Sequence, residues 1–253
     1  MQTGEWFIRS IELKGGTQIT INTQTPVDIA DLKEALESRF GSVSVRELRG
    51  FSGYGMIIGV ETGIDSTEVL NVLKDLGINT AESSVATIGP ALSASFWQQA
   101  QVAVIVAFIF MGVIVFGIFR TSIPSFAVML AAVSDIIVTL ALMQVFGIEL
   151  SLAGLAALLM LIGYSVDTDI MLTTRLLKGT GLLVERIKPA LKTGLTMSFT
   201  TIGALAALLL SAISPVLSQI AAVLLIGLLV DIINTWLQNS VLLRWYLERR
   251  GER

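Results

Sequence analysis

From about residue 96 onward the chain is almost wholly apolar, interrupted by short polar breaks, whereas charged and apolar residues alternate before about residue 90. The two halves therefore predict two solvents. Runs near 20 apolar residues cross a hydrocarbon layer of about 30 Å as helices. Five such runs are present, at roughly 97–119, 123–146, 150–174, 190–212 and 215–243. The last is long enough to protrude at its basic end. Pro124, Gly147, Pro189 and Pro215 fall at the breaks, where proline and glycine interrupt regular structure.

The first half reads as an aqueous domain. Residues 8–22 end in alternating apolar and polar positions after a Gly-Gly turn, which predicts a strand. Asp28 is a suitable N-cap, and Ile29, Leu32, Leu36 and Phe40 fall on one face of the helix that follows. "VSVRELRG" and "YGMIIGVE" predict two strands around a Gly-Phe-Ser-Gly turn. "DSTEVLNVLKDLG" predicts a second helix, capped by Asp65 or Ser66 and ended by Gly77, and "NTAESSVATIG" a last strand. The order β-α-β-β-α-β is that of the ferredoxin-like split βαβ unit. The predicted class is an α-helical polytopic membrane protein, residues 93–253, with an N-terminal α+β domain over residues 1–92.

Composition agrees. The chain has 253 residues, of which 53% are hydrophobic and 15% charged, and its mean hydropathy is +0.77. It has no cysteine and no histidine, so disulfides, thiol chemistry and His-ligated metals are excluded. No phosphate loop, nucleophile triad or metal set is visible, so no enzyme activity, cofactor or metal is expected. Acidic residues outnumber basic ones in the aqueous half, which argues against nucleic acid as a partner. Met1 leads into "QTGEWFIRS" with no apolar signal segment.

Orientation follows the basic residues. Arg120 lies between the first two spans. Arg175, Lys178, Arg186, Lys188 and Lys192 lie between the third and fourth, and Arg244, Arg249, Arg250 and Arg253 follow the fifth. The alternate connections, near Gly147–Glu149 and Ser211–Pro215, carry no Lys or Arg. All three basic stretches fit the cytoplasmic side of a cell membrane. Residues 1–92 are then outside and the C-terminus inside.

Four aspartates sit within the apolar runs: Asp135 near the middle of the second, Asp167 and Asp169 in the cytoplasmic half of the third, and Asp231 near the middle of the fifth. An ionised aspartate at a helix centre costs roughly 2.5–3.5 kcal/mol on insertion scales and marks an ion path by default. A packing role, with hydroxyl or lysine neighbours holding each carboxyl, is the simpler alternative. Four together favour an ion or proton route. Asp167 and Asp169 are two residues apart and point to nearly opposite sides of a helix. Asp169 shares its face with Ser165 and Thr173, and Asp167 with Gly163 and Thr174. Thr193, Thr196 and Thr200 form a polar stripe on the fourth span, continued by Gly203, suited either to helix packing or to a relay. Lys188 and Lys192 reach the carboxylates only from the cytoplasmic end. Asn234 and Gln238 fit bonds across helices. Asp167 ranks first on sequence, then Asp169 and Asp135, then Asp231. Arg175 reads as a helix-end anchor, since basic side chains near span ends snorkel.

Three motifs carry a resemblance. "ELKGGT", containing Gly15, Gly16 and Thr17, resembles the Asp-Phe-Lys-Gly-Gly-Thr stretch that opens the extracytoplasmic domain of the SecD/SecF family. "TIGPALSASFWQQA", with Gly89 and Pro90, resembles the family's Gly-Pro junction into the next membrane helix. "LIGYSVDTDIMLTTRL" resembles the SecF signature, with Gly163, Tyr164, Ser165 and Arg175 at its spacing. The cysteine-free form is similar to archaeal members. The resemblance implies a SecF-type subunit of an accessory complex of Sec protein export, related to the resistance-nodulation-division transporters. It implies SecD as partner, the Sec channel and the emerging unfolded polypeptide as contacts, membrane lipids as surroundings, and coupling to the proton motive force through membrane carboxylates.

The chain departs from the family pattern in three places. Members begin with a membrane helix ahead of the extracytoplasmic domain, so a truncated or late start is expected here. Bacterial SecF has Asn-Asp-Thr where this chain has Asp167, Thr168 and Asp169, and Asp167 instead matches the SecD form of the motif. The family's basic residue at the start of the following helix has no clear match near Pro189. The readings left beside coupled export are a non-coupled scaffold for SecD or the channel, and one half of a small-molecule or lipid transporter. An intramembrane aspartyl protease is disfavoured, because "GYSVD" does not supply the Gly-x-Gly-Asp that those proteases share.

Overall fold

The computed structural model describes residues 7–23, 28–50, 53–81, 83–179, 183–211 and 213–250. Phe51 and Ser52 of the expected turn, and the terminal Arg253, lie outside them.

A short helix α1 (Ile11–Lys14) precedes strand β1 (Gly16–Thr23), helix α2 (Ile29–Phe40), strands β2 (Val43–Gly50) and β3 (Gly53–Val60), helix α3 (Ser66–Asp75) and strand β4 (Ser83–Ile88). The sheet order is β2-β3-β1-β4, with every pair antiparallel. That is the order of the split βαβ fold. Asp28 caps α2 by accepting from the Ala30 and Asp31 amides. Asp65, not Ser66, caps α3 by accepting from the Thr67 amide, and that bond holds its carboxyl below the ordinary aspartate range. Ile19, Ile21, Met56, Ile58 and Val60 project from one sheet face onto Leu32, Leu36, Val69, Val72 and Leu73 of the two helices.

The strand expected after the Gly-Gly turn is β1; ahead of that turn residues 11–14 form a helical turn, and Gly15 and Gly16 redirect the chain into β1. Both have positive φ, +88° and +142°. A Cβ on Gly16 would lie 2.4 Å from the Val60 carbonyl oxygen, and only glycine tolerates both the dihedral and the approach.

Five long helices follow: α4 (Pro90–Phe119), α5 (Ser122–Val145), α6 (Leu152–Lys178), α7 (Leu183–Ser211) and a last helix running from Pro215 to Arg249. Each contains a stretch long and apolar enough to cross a bilayer. The last helix comprises α8 (Pro215–Ile233), a π-helical turn (Asn234–Asn239) and α9 (Ser240–Arg249). α6 and the last helix are central. Large apolar side chains of α4 point outward, with Ile105, Phe110 and Val113 about 60% exposed (59%, 63% and 66%). A soluble protein would not leave this surface wet, and in lipid it is matched to its solvent. The protein is therefore a multi-pass membrane protein.

Pro189 does not break the fourth span; α7 runs through it. The bond it cannot donate would go to the Glu185 carbonyl, and Glu185 is exposed near the start of the helix, where solvent can satisfy that oxygen.

Candidate functional site

The central helices build one buried polar cluster. Asp135 of α5, Asp169 of α6 and Asp231 of α8 are each essentially inaccessible. Ser165 donates to Asp135 Oδ2 at 2.5 Å. Asn234 Nδ2 donates to Asp135 Oδ1 at 2.6 Å and reaches Ser134 Oγ at 3.1 Å. The Thr235 hydroxyl lies 2.9 Å from Asp169 Oδ1 and 3.2 Å from Asp231 Oδ1, and Asn239 Nδ2 donates to Asp169 Oδ1 at 2.7 Å. Asp135 and Asp231 are close enough to interact directly. Among the described residues no Lys or Arg forms an ion pair with any of the three, and no group of His, Cys, Asp or Glu side chains is arranged to hold a metal ion.

The local sequence explains the convergence. Asp231, Thr235 and Asn239 recur every fourth residue, on one face of the last helix. Ser165, Asp169 and Thr173 do the same on α6, and all six are fully buried. The π turn covers Asn234–Asn239, so three of the cluster's donors sit on the widened segment. Single π-turns inside α-helices recur at functional sites. Gly227 lets α8 meet α6 closely: a Cβ there would lie 2.4 Å from Leu161 Cδ2.

Chemically, the cluster is a chain of proton acceptors joined by hydroxyls. A hydroxyl donates and accepts at once. Thr235 can take a hydrogen bond from a protonated carboxyl on one side while donating to the carboxylate on the other. Asp169 Oδ2, Asp231 Oδ2 and Asn239 Oδ1 have no hydrogen-bond partner among the described residues, so acceptor capacity exceeds donor supply there.

The other sequence candidates lie elsewhere. Asp167 is exposed on the outer face of α6, beside exposed Gly163 and Tyr164, and is not joined to the cluster. Thr196 and Thr200 are exposed and donate to carbonyls of their own helix, as does the half-buried Thr193. Arg175 Nη2 donates to Thr193 Oγ1 at 3.2 Å, pinning α6 to α7 at the basic end. Gly15 lies against Pro90 and Ser93, and Thr17 meets Thr87 at 3.0 Å, so the first two motifs form one contact. Thr235 and Asn239 were not anticipated. The fourfold spacing with Asp231 was the signal that marked them.

Residues 68–249 match the family described as "Protein export membrane protein SecD/SecF, C-terminal". The chain belongs to the SecD/SecF family. It is 46% identical over 248 residues to the protein-export membrane protein SecF of Methanothermobacter thermautotrophicus, covering 96% of this chain and 85% of that one. It is 43% identical over 253 residues to SecF of Pyrococcus furiosus, covering 99% and 84%. The fold is that of a crystal structure of SecDF, a translocon-associated membrane protein from Thermus thermophilus, with a TM-score of 0.73 at 21% identity. This chain spans 96% of itself and 35% of that SecDF chain, about a third of its length. The SecF relatives support a role in Sec protein export.

Proposed function

We propose that this protein is the SecF-type subunit of a SecD–SecF complex that assists export of unfolded polypeptides from the Sec channel, driven by the proton motive force. The observation that carries the coupled reading is the buried cluster. Three carboxyls from three helices meet without a counter-charge among the described residues, linked by hydroxyl and amide side chains. Burying three ionised carboxylates unpaired would be very costly. Proton entry or exit at such a site changes the helix arrangement it favours, and a differential preference of this kind is what a gradient needs in order to bias a movement. One charge crossing 100 mV supplies about 2.3 kcal/mol.

Asp167 has a different place in this reading. Asp167 is exposed on α6, and we assign it to a surface that meets SecD, since transporter folds of this kind work as paired repeats with the site between them. Residues 1–92 face outward, toward the emerging polypeptide, and the basic ends face the cytoplasm.

The test is the export rate of a secreted precursor in cells carrying Asp169→Asn or Asp167→Asn at normal abundance beside SecD, with and without a proton uncoupler. The coupled reading expects Asp169→Asn to slow export by tenfold or more and to abolish the residual sensitivity to the uncoupler. Normal export by both variants, with retained binding to SecD, would establish a scaffold instead.

A further inference from the structure

We infer that Glu12 is a positioning residue that ties the extracytoplasmic domain to α6, so that the state of the carboxyl cluster and the position of that domain bias one another. Glu12 Oε2 accepts from the Leu152 amide at 2.8 Å. Leu152 is the first residue of α6, the helix that carries Ser165 and Asp169. The first amides of a helix need partners from outside it. Ser151, the local cap, takes the Gly154 amide. The Leu152 amide is answered by a carboxylate 140 residues earlier in the chain, favourably placed at the positive end of the helix dipole.

The surroundings make this contact a joint. Ser10 donates to the Leu150 carbonyl at 2.9 Å, and Leu150 donates to that of Ile8 at 2.8 Å. Leu13, one residue past Glu12, is buried among Met143, Leu150, Leu158 and Val223 of the membrane bundle. On its other side the chain passes at once through Gly15 and Gly16 into the central strand of the sheet. Beyond the joint the domain stands off. A cleft of about 470 Å³ opens between the sheet and the outer ends of the helices, lined by Gln18, Val45, Ile57, Phe146 and Pro215 among others. Among the described residues the Arg46–Glu149 ion pair, at 3.4 Å, crosses it. A domain held at one edge over an open cleft can tilt about that edge.

α6 then acts as the rod. At 1.5 Å per residue, Ser165 and Asp169 lie roughly 20 and 25 Å along it from Leu152. A displacement of the rod by the cluster reaches the domain through Glu12, and a pull on the domain reaches the cluster by the same bond. The inference deepens the coupled reading, and its test needs no gradient.

The experiment is hydrogen exchange followed by mass spectrometry on the full-length protein purified from membranes, in a double-mutant cycle of Asp169→Asn with Glu12→Ala. Coupling between distant sites is measured as non-additivity. Asp169→Asn is expected to change exchange in residues 8–23 by about fivefold or more, and to lose that effect when Glu12→Ala is present. Glu12→Gln, which keeps an acceptor for the Leu152 amide, should retain most of it. If Glu12→Ala does not accumulate, Leu152→Pro removes the same bond from the opposite side at a position where proline suits the first helical turn. An Asp169→Asn effect of equal size with and without the bond overturns the role of Glu12. The absence of any effect in residues 8–23 overturns the communication itself. Failure of the coupled reading alone would show differently, as export insensitive to the uncoupler in a protein whose exchange cycle is still non-additive.

Discussion

At the scale of single residues, Asn239 carries the clearest imbalance in the cluster. Its amide donates to Asp169 at 2.7 Å, while its own oxygen has no partner among the described residues and the residue is fully buried. Truncation to alanine removes a donor from a buried carboxyl and leaves that carboxyl with Thr235 alone. Leaving a buried polar group short of a partner costs about 1–3 kcal/mol. Asn239→Ala should therefore lower the thermal unfolding midpoint in detergent. Asn239→Asp, which exchanges the amide for a fourth carboxyl, should lower it further. Gln238→Ala, one residue earlier and half-buried, should leave it nearly unchanged. An equal loss at 238 and 239 would mean that the cluster contributes no specific stability.

At the scale of elements, the π turn decides where the donors sit. Its Trp236 lies over α7 at Gly194, where a Cβ would come within 2.6 Å of Trp236 Cζ2 and 3.1 Å of Met171 Cε. Forcing extra atoms into a closed contact costs about 1–3 kcal/mol. Gly194→Val should displace the indole and with it the neighbouring Thr235, shifting the Trp236 emission and lowering the unfolding midpoint. Gly203→Val, on the same helix with open space at its Cβ, is the control that should do neither. The elements also show what a sequence can and cannot reveal. The strands, the Asp28 and Asp65 caps and the five apolar helices were legible because their signals are local: alternation, capping side chains, runs of one solvent preference. The opposite faces of Asp167 and Asp169 were legible for the same reason. The ranking of Asp167 above Asp169 followed solvent cost and motif position, neither of which says which face turns inward. Asp169 meets Asn239 across 70 residues and Asp135 meets Asn234 across 99; no periodicity within either helix specifies such a meeting. The passage of α7 through Pro189 escaped because solvent at the helix end can satisfy the carbonyl that the local breaker leaves without a donor.

At the scale of the whole molecule, coupling to export depends on how the chain sits in its membrane. The coupled reading needs the sheet on the receiving side of export and the basic helix ends on the cytoplasmic side, where Arg175, Lys178 and Arg244 lie at or beyond the ends of the apolar runs. These 253 residues contain no cysteine, so a single introduced cysteine reports the side on which it lies. Glu68 on α3 and Lys178 at the end of α6 are both exposed and belong to opposite ends of the molecule. In intact cells or right-side-out vesicles, a membrane-impermeant maleimide should label Glu68→Cys at once and Lys178→Cys only after the membrane is opened. Inverted vesicles should reverse the order. If Lys178→Cys is the residue labelled in intact cells, the sheet faces the cytoplasm. The Glu12 joint would then transmit force on the wrong side of the membrane for pulling an exported chain, and the coupled reading would fall with the topology even if the carboxyl cluster still bound protons.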